Sequence, residues 1–379
     1  MEPKITLKGF VGNWDTHAIK DICEVNPKST LPSEFEYVDL ESVVGTEMIS
    51  HRTEQRGSAP SRAQRLAKKG DIFYQTVRPY QKNNYLFDMD ETNYVFSTGY
   101  AQLRTKINQG YLFTLMQSPS FVNKVLLECT GTSYPAINPT NLSKITIDIV
   151  DDENIQRIIA SYFQHLDSLI QSTTKKIESL KQVKTASLQS MFPQEGETTP
   201  RVRFKGFSGE WEIDTLENIA RIIKGEQINK NELFDHGTYY VLNGGVEPSG
   251  YTENYNTKSD TISISEGGNS CGYVYYNISN FWSGGHNYTL QNVSINNCFL
   301  YAYLKSKEHE IMSKRVGSGL PNIQKKSLQE FSVRFPINSA EQQLLGSFFF
   351  SLDSQITLHT QRLEKLKQIK SACLDNMFV

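Results

Sequence analysis

Two long segments of the chain carry a hydrophobic residue at every third or fourth position, which is the period of an amphipathic helix. The first lies in residues 153–191 and the second in residues 340–377. At a rise of 1.5 Å per residue, each predicted helix is roughly 55 Å long, which is too long for a small domain to bury. Two helices of this kind most simply pack on each other, antiparallel, as a two-stranded coiled coil.

Residues at the ends of these segments support the helix prediction. Asp151 and Asp152 suit the start of the first helix, because a carboxylate there caps free backbone N–H groups and meets the positive end of the helix dipole. Phe192 precedes a proline, and a residue in that position avoids helical backbone angles, so the first helix is expected to end there. Ser339 and Gln342 have the spacing of a capping box at the start of the second helix.

The chain contains an internal repeat, which is best recognised before any fold is assigned. Gln156–Phe192 and Gln342–Phe378 are identical at 17 of 37 aligned positions. A Gly-Phe-x-Gly-x-Trp motif occurs at Gly9–Trp14 and again at Gly206–Trp211. The two halves therefore share a common frame.

A second pair of matching segments, Gly131–Ile137 and Gly317–Ile323, leads in each half into a strand of alternating apolar residues. Between the matching segments the halves diverge, and residues 35–125 share no useful identity with residues 232–315. A repeat that keeps its frame and varies its middle suggests one architecture with two ligand specificities. Drift after duplication is the alternative interpretation.

The divergent middle of each half has the composition of β-structure. Residues 236–300 are rich in Tyr, Thr, Ile, Gly and Asn, and Asp71–Val77 is a predicted buried strand. Leu112–Leu127 is a predicted helix with a bend near Pro119, and Tyr301–Lys314 is its counterpart. We therefore predict an α+β protein, in which two β-rich domains form an internal pseudo-twofold repeat and are separated by two long antiparallel coiled-coil helices. The predicted boundaries are residues 1–150 for the first domain, 151–192 for the first helix, 193–200 for a linker, 201–338 for the second domain and 339–379 for the second helix.

Composition bounds the class of protein. The formal net charge is -2 and the isoelectric point about 6.4, a balance that counts mildly against nucleic-acid binding by the chain as a whole. The five cysteines form no C-x-x-C pair and have no histidine at metal-ligand spacing, as is typical of reduced thiols in a cytosolic protein. There is neither an apolar N-terminal run nor a stretch of about 18 apolar residues. We predict a cytoplasmic protein that makes no membrane contact.

Sequence motifs for catalysis are absent. The chain has no phosphate-binding G-x-x-x-x-G-K-[ST], no G-x-G-x-x-G after a strand, and no Asn-Pro-Pro-Tyr tetrapeptide of adenine methyltransferases. It also has no H-E-x-x-H and no G-x-S-x-G. We therefore predict no catalytic residue, no metal site and no cofactor of its own, and any chemistry is left to a partner.

One segment is strongly basic. Between His51 and Lys82 there are eight Arg and Lys residues against two acids. Arginine donors suit contacts to guanine edges and phosphates, so this segment is a candidate DNA-binding region, with a solvated charged loop as the alternative. The candidate contacts are Arg56, Arg62, Arg65, Arg78 and Lys82.

The second half lacks this charge. From Lys224 to Glu266 it has three lysines against seven acids, which weakens an electrostatic argument for DNA binding. Its turns instead carry hydrogen-bonding groups, and asparagine pairs well with adenine. The candidate contacts are Asn243, Lys258, Asn269, Ser270 and His286, with a structural role for each residue as the alternative interpretation.

The doubled order of these parts resembles the specificity subunits of type I restriction–modification enzymes over the whole chain. The segment Gly70–Pro79 also resembles one common class of target-recognition domain, and Gly244–Gly250 resembles another. The resemblance implies that each variable domain reads one half of a split, asymmetric double-stranded DNA target. It implies that the helices dock methyltransferase subunits, which bind S-adenosylmethionine and methylate adenine, and that separate motor–nuclease subunits cleave DNA.

Two methyltransferase copies need two copies of one surface, so we expect the repeated helices to carry the docking site. The candidate partner-binding residues are Lys181, Lys184, Lys367 and Lys370. A second hypothesis, from another class, is a duplicated β-rich protein that binds glycans or peptides on a coiled-coil stalk. The aromatic content and the acidic second domain allow it, whereas the basic segment and the missing signal peptide count against it.

Overall fold

The structure, a computed structural model, describes residues 14–317, 319 and 321–378. It divides into two compact units, one built from residues up to Thr174 and from Arg362 onward, the other from Lys175–Gln361. Each unit contains one β-rich domain together with parts of both long helices. The compact units therefore do not separate domains from helices in the way that the sequence prediction did.

Among its described residues, the first unit contains twelve short strands, all before the first long helix. They are β1 Trp14–Ala18, β2 Cys23–Val25, β3 Glu34–Val38, β4 Val43–Val44, β5 Glu47–Met48, β6 Arg52–Gln55, β7 Ala63–Leu66, β8 Ile72–Gln75, β9 Tyr85–Leu86, β10 Tyr94–Ser97, β11 Tyr100–Thr105 and β12 Thr146–Val150. The helices that begin in this unit are α1 Ile19–Ile22, α2 Gln109–Leu115, α3 Pro119–Leu127, α4 Pro139–Lys144 and the long α5 Glu153–Ser190.

The second unit follows the same plan with fewer strands. They are β13 Glu212–Thr215, β14 Arg221–Lys224, β15 Tyr239–Leu242, β16 Gly250–Thr252, β17 Thr261–Ser265, β18 Val274–Asn277, β19 Trp282–Ser283, β20 Asn287–Gln291 and β21 Ser332–Phe335. The helices are α6 Leu216–Ile219, α7 Asn297–Ser306, α8 Glu308–Ser313, α9 Lys325–Gln329 and the long α10 Ser339–Asn376.

Two sheets of the first domain have strand-by-strand equivalents in the second domain. The four-stranded sheet β2-β11-β8-β9 matches β14-β20-β17-β18, and the pair β1-β12 matches β13-β21. A second sheet contains one parallel pair in each domain, β10 with β3 and β19 with β15. The predicted internal repeat is therefore present in the backbone even where no residues are identical.

The first domain carries additional strands. Strands β4 and β5 form a hairpin, and β7 extends the second sheet to the order β6-β3-β10-β7. The corresponding sheet among the described residues of the second domain has the three strands β16-β15-β19. Two of the candidate arginines, Arg62 and Arg65, lie next to or on β7. Part of the charge difference between the halves therefore comes from arginines at β7, a strand that the corresponding sheet of the second domain lacks among its described residues.

The long helices α5 and α10 lie in the two segments with helical periodicity, and they run antiparallel within each unit. In the first unit Asp167 pairs with Lys370 and Tyr162 lies against Cys373, so position rises on one helix as it falls on the other. The predicted antiparallel helix pair is confirmed. The predicted Leu112–Leu127 helix is instead two helices, because Ser118 caps a new helix whose first residue is Pro119.

Each helix ends in the core of the unit that it enters. Phe192, just past α5, packs in the second unit against Trp211, Phe299 and Phe349 at ring-centroid distances of 6.1, 5.9 and 5.3 Å. Its repeat equivalent, Phe378, packs in the first unit against other aromatic rings, 5.9 Å from Tyr111 and 6.1 Å from Phe163. Neither core is complete without the end of the helix that begins in the other unit.

A buried glutamine joins each helix start to its domain. Gln156 accepts a hydrogen bond from Asn108 N at 3.1 Å and donates one to Val150 O at 2.7 Å. Gln342 repeats this arrangement with Asn296 N at 2.9 Å and with a proline carbonyl at 2.8 Å. The same two contacts in both halves fix the direction in which each helix leaves its domain.

The predicted capping box of the second helix is wrong. The side chain of Gln342 is used by Asn296, and the helix is capped by Asn338, whose Oδ1 accepts from Ala340 N at 2.9 Å. The first helix follows the prediction, because Asp152 Oδ1 accepts from Asn154 N at 2.8 Å. A tertiary hydrogen bond thus displaced a locally reasonable cap.

Arg203 joins the second Gly-Phe-x-Gly-x-Trp motif to Glu341 at the start of α10, and we name this arrangement the Arg203–Glu341 clasp. Arg203 donates to the carbonyls of Ser208 and Gly209, and its guanidinium makes a bidentate pair with Glu341 at 2.6 and 2.8 Å. The Glu341 side chain is 1% exposed. In the first motif, residues 9–13 lie outside the described residues, as do Ser318 and Leu320 of the other repeated segment.

Candidate functional site

One loop occupies the same place in both domains, at the end of the third strand in the spatial order of the four-stranded sheet. In the first domain it follows β8, where Arg78 N donates to Pro135 O at 2.7 Å. In the second it follows β17, where Gly268 N donates to Pro321 O at 3.0 Å. We name Arg78–Lys82 the first strand-end loop and Gly268–Gly272 the second.

The internal hydrogen bonds of the two loops align them residue by residue. Gln81 N donates to Arg78 O at 3.0 Å, and Cys271 N donates to Gly268 O at 3.1 Å. Arg78 therefore corresponds to Gly268, and the closing residues Lys82 and Gly272 correspond to each other. The candidate contacts Arg78 and Lys82 and the candidate contacts Asn269 and Ser270 thus lie on equivalent loops, a relation that no sequence identity reveals.

The first and last positions of each loop have left-handed backbone angles. The φ values are 53° at Arg78 and 57° at Lys82, against 75° at Gly268 and 89° at Gly272. Glycine adopts this region freely, whereas a residue with a Cβ is strained there. The first domain thus carries two cationic side chains at the positions where the second domain carries glycine.

Arg78 is held by an aromatic ring. Its guanidinium carbon lies 4.1 Å from the ring centroid of Tyr134, a residue whose side chain is 65% exposed. Tyr134 immediately precedes Pro135, the acceptor for Arg78 N, so backbone pairing fixes both partners of the stack. Tyr80, in the same loop, is also exposed. A cation and two aromatic rings are therefore presented together at one end of the sheet.

Lys82 has a different environment. Its ammonium donates to Gln117 O at 2.9 Å, at the junction between α2 and α3. Burial lowers the pKa of Lys82, as expected for an amine that is partly removed from water. This internal bond competes with the predicted DNA contact of Lys82, which stays a prediction.

The second strand-end loop lies beside a polar cluster centred on Glu266. The Glu266 carboxylate accepts from Lys224 Nζ at 2.6 Å and from Tyr288 OH at 2.9 Å, and it lies 3.5 Å from His286 Nδ1. Burial alone would raise the pKa of Glu266, but the hydrogen bonds from Lys224 and Tyr288 lower it below its usual value. The carboxylate thus stays charged and helps to hold the exposed His286 ring in place.

Asn243 connects this cluster to a neighbouring loop. Its Oδ1 accepts from His286 N at 3.0 Å, and a Cβ on Gly284 would lie 2.6 Å from that same oxygen. Glycine at position 284 therefore permits the loops to approach each other. The structure brings Asn243, Asn269, Ser270 and His286 to one end of the sheet, and it places Lys258 before β17, at the other end.

The remaining candidates in the basic segment are dispersed. Arg56 and Arg62 are exposed at the two ends of the turn that joins β6 to β7. Arg65 lies on β7 opposite Phe96, and burial lowers the pKa of its guanidinium. Arg52, counted in the same segment, is paired with Asp39 and Glu54. Charge in this segment is therefore partly neutralised by ion pairs within the domain.

The four candidate lysines on the helices form two classes. Lys181 and its equivalent Lys367 are exposed. Lys184 pairs with Asp353 in the second unit, and Lys370 pairs with Asp167 in the first. The two ion pairs are repeat equivalents and join the helices to each other. The partner-docking prediction therefore rests more firmly on Lys181 and Lys367.

Exposed apolar residues recur on the helix surfaces at equivalent positions. Ile158 and Leu344 are 52% and 45% exposed, and Val183 and Ile369 are 45% and 38% exposed. Each unit contains one member of each pair. The internal repeat therefore extends to exposed apolar positions on the long helices.

The sequence interpretation missed Tyr134, Glu266 and Lys224 as members of these sites. A signal for Tyr134 existed, because it lies inside the repeated segment Gly131–Ile137 directly before the proline. Glu266 and Lys224 were counted only as charges, since their pairing across the sheet depends on strand register. In the part of the chain that the structure describes, no His, Cys, Asp and Glu side chains gather as a metal site, and no helix is long and apolar enough to cross a membrane.

Comparison with known proteins agrees with the repeat. A family model described as the type I restriction modification DNA specificity domain matches residues 12–182 and 208–368. A type I specificity subunit of Mycoplasma genitalium is 29% identical over 183 residues, or 48% of this chain and 47% of that protein. The specificity subunit of the HindI type I restriction enzyme of Haemophilus influenzae is 27% identical over 185 residues, or 47% of this chain and 37% of that protein. The matched region therefore spans less than half of each relative.

Solved structures show the same fold. The type I restriction–modification S subunit from M. genitalium superposes with a TM-score of 0.76 at 19% identity, over 100% of this chain and 99% of that one. A chain from a structural study of complex assembly in the type I restriction–modification system gives a TM-score of 0.52 at 21% identity, over 96% of both chains. The predicted α+β fold with two repeated domains and two long helices is confirmed. With both halves matched by the family model, the chain belongs to the type I restriction–modification DNA specificity family.

Proposed function

We propose that this chain is the DNA-specificity subunit of a type I restriction–modification system and has no catalytic site of its own. Each domain reads one half of a split, asymmetric duplex target, and the helices dock two methyltransferase subunits. The methyltransferase supplies S-adenosylmethionine binding and adenine methylation, motor–nuclease subunits join through the complex, and the assembly works in the cytoplasm. The family match favours this proposal over the glycan- or peptide-binding hypothesis.

The observation that carries the proposal is a pair of equivalent loops with different chemistry. Both strand-end loops are fixed by the same backbone hydrogen bonds, yet one presents Arg78 and the other presents Asn269 and Ser270. Arginine donors match guanine edges, and amide and hydroxyl groups match other base edges. One frame with two sets of side chains fits a protein that reads two different half-sites.

An exchange of domain middles tests the two-reader model. Replacing residues 35–125 by the equivalent segment of another such subunit is expected to change one half-site of the methylated motif and to leave the other intact, because the frame and the second domain are untouched. Methylome sequencing of a host that carries the whole system measures this result. A continuous palindromic motif, or a change in both half-sites, would contradict the proposal.

The docking surface is tested by charge reversal. Lys181→Glu and Lys367→Glu are each expected to remove one of two methyltransferase subunits, because each lysine belongs to one copy of the repeated surface. Native mass spectrometry of the complex measures the stoichiometry. Lys365→Glu is the matched control, since it makes the same charge change on an exposed helix position whose repeat equivalent is Ser179. Equal loss of methyltransferase in the control would show that the effect is one of net charge.

A further inference from the structure

We propose that Arg78 and Tyr134 form a guanine-reading pair, in which Arg78 contacts the base and Tyr134 is a positioning residue. This inference rests on the proposed function and deepens it, because it assigns a base and a side chain to the first domain. It also assigns different roles to Arg78 and Lys82, both of which the sequence analysis predicted as DNA contacts. Three observations lead to it, from backbone strain, side-chain stacking and hydrogen bonding.

The first observation is the backbone conformation at position 78. Arg78 has a φ of 53°, and the equivalent residue of the second domain is Gly268. A strained position of this kind persists where the surrounding structure imposes it. A glycine suffices for the loop itself, as the second domain demonstrates. The side chain of Arg78 is therefore not required by the fold of the loop.

The second observation is the stack on Tyr134. A guanidinium that lies over an aromatic ring keeps its N–H groups in its own plane, so they point sideways, away from the ring. The ring also restricts a long side chain that would otherwise lose rotamer freedom on binding. The guanidinium carbon of Arg78 lies 4.1 Å from the ring centroid of Tyr134, and Tyr134 is exposed, so the guanidinium lies against a ring at the surface of the domain. Two parallel N–H donors match O6 and N7 of guanine in the major groove.

The third observation is that the Lys82 side chain is bound within its own domain and does not extend from the loop as Arg78 does. Its ammonium is bound to Gln117 O, and the equivalent Gly272 packs directly against Met312, whose Cα would lie 3.0 Å from an added Cβ. In both domains this position faces the short helices rather than an open surface. Lys82 thus fastens the loop to the domain, while Arg78 extends from it.

The experiment uses the full chain assembled with its methyltransferase and a pool of random-sequence duplex DNA, followed by sequencing of the bound fraction. Arg78→Gly is expected to weaken the preference for one G·C pair by about 10- to 100-fold, in the half-site that the 35–125 exchange alters, and to leave every other position unchanged. Its unfolding temperature is expected not to fall, because glycine adopts the strained backbone freely.

Further variants separate base reading from charge. Arg78→Lys keeps the charge but loses the planar donor pair, so the same G·C pair should relax while much of the overall affinity remains. Tyr134→Phe should behave as the original chain, and Tyr134→Ala should relax the same base pair. An unchanged preference in Arg78→Lys or Tyr134→Ala, or loss of a position that is not G·C, would overturn the inference. Selection of no motif by the unaltered complex would instead overturn the proposed function.

Discussion

Removing a single aromatic ring, in Phe192→Ala or Phe378→Ala, is expected to lower the stability of one unit by about 3–5 kcal/mol. A large buried ring leaves both a lost transfer free energy and a cavity when it is truncated to alanine. Phe192 is surrounded by aromatic rings of the second unit and Phe378 by those of the first. Amide hydrogen exchange across a urea series would locate each loss.

The expected pattern is reciprocal. Phe192→Ala should expose the strands β14, β17 and β20, whereas Phe378→Ala should expose β2, β8 and β11. Suitable controls are Phe234→Ala and Leu127→Ala, whose side chains are 51% and 86% exposed, and each should change stability by less than about 0.5 kcal/mol. Equal loosening of both domains by each variant would show that the two cores are not separate.

Breaking the clasp on the second helix should have a comparable effect. Arg203→Ala leaves the carboxylate of Glu341 buried without its guanidinium partner, which is expected to cost about 3–5 kcal/mol. Urea unfolding of the full chain measures the loss. The double variant Arg203→Met with Glu341→Leu should recover most of it, because an apolar pair of similar volume leaves no buried charge behind.

A matched control lies two residues away. Arg201 makes an exposed ion pair with Glu197 at 2.7 Å, and its side chain is 67% exposed. Arg201→Ala should therefore leave the urea midpoint nearly unchanged, since water screens such pairs. If Arg201→Ala and Arg203→Ala were equally destabilising, the clasp would owe its effect to general electrostatics rather than to the buried bidentate pair.

The long helices were predictable because their signal is periodic and local. The stripe of apolar residues set their bounds, and the carboxylate of Asp152 set the first cap. The capping box at Ser339 failed because a side chain that could close a local cap was taken by a backbone group of the domain, Asn296 N. The ion pairs of Lys184 and Lys370 were missed for a related reason, since helical period alone does not fix the register of two antiparallel helices.

The sequence could predict which residue types the candidate sites contain, but not how those residues are arranged. Arg78 and Asn269 could be selected as side chains with suitable donors on turns, but nothing in the residues aligns the two loops. Their equivalence depends on backbone hydrogen bonds to Pro135 and Pro321, which are independent of side-chain identity. The two loops share backbone geometry without sharing residue identities, so comparing the sequences of the two halves does not show that they are equivalent.

Each long helix begins in one unit and ends in the core of the other, and this arrangement has a consequence for synthesis on the ribosome. The core of the second unit is built from one continuous stretch, Lys175–Gln361, whereas the core of the first includes Phe163 and Phe378, more than 200 residues apart. Long-range contacts of this kind form late, because the intervening chain must exist before its ends can meet. The first domain to emerge is therefore the last to complete its core. Until the second helix has been made, the interior of the first domain lacks the apolar side chains that this helix contributes.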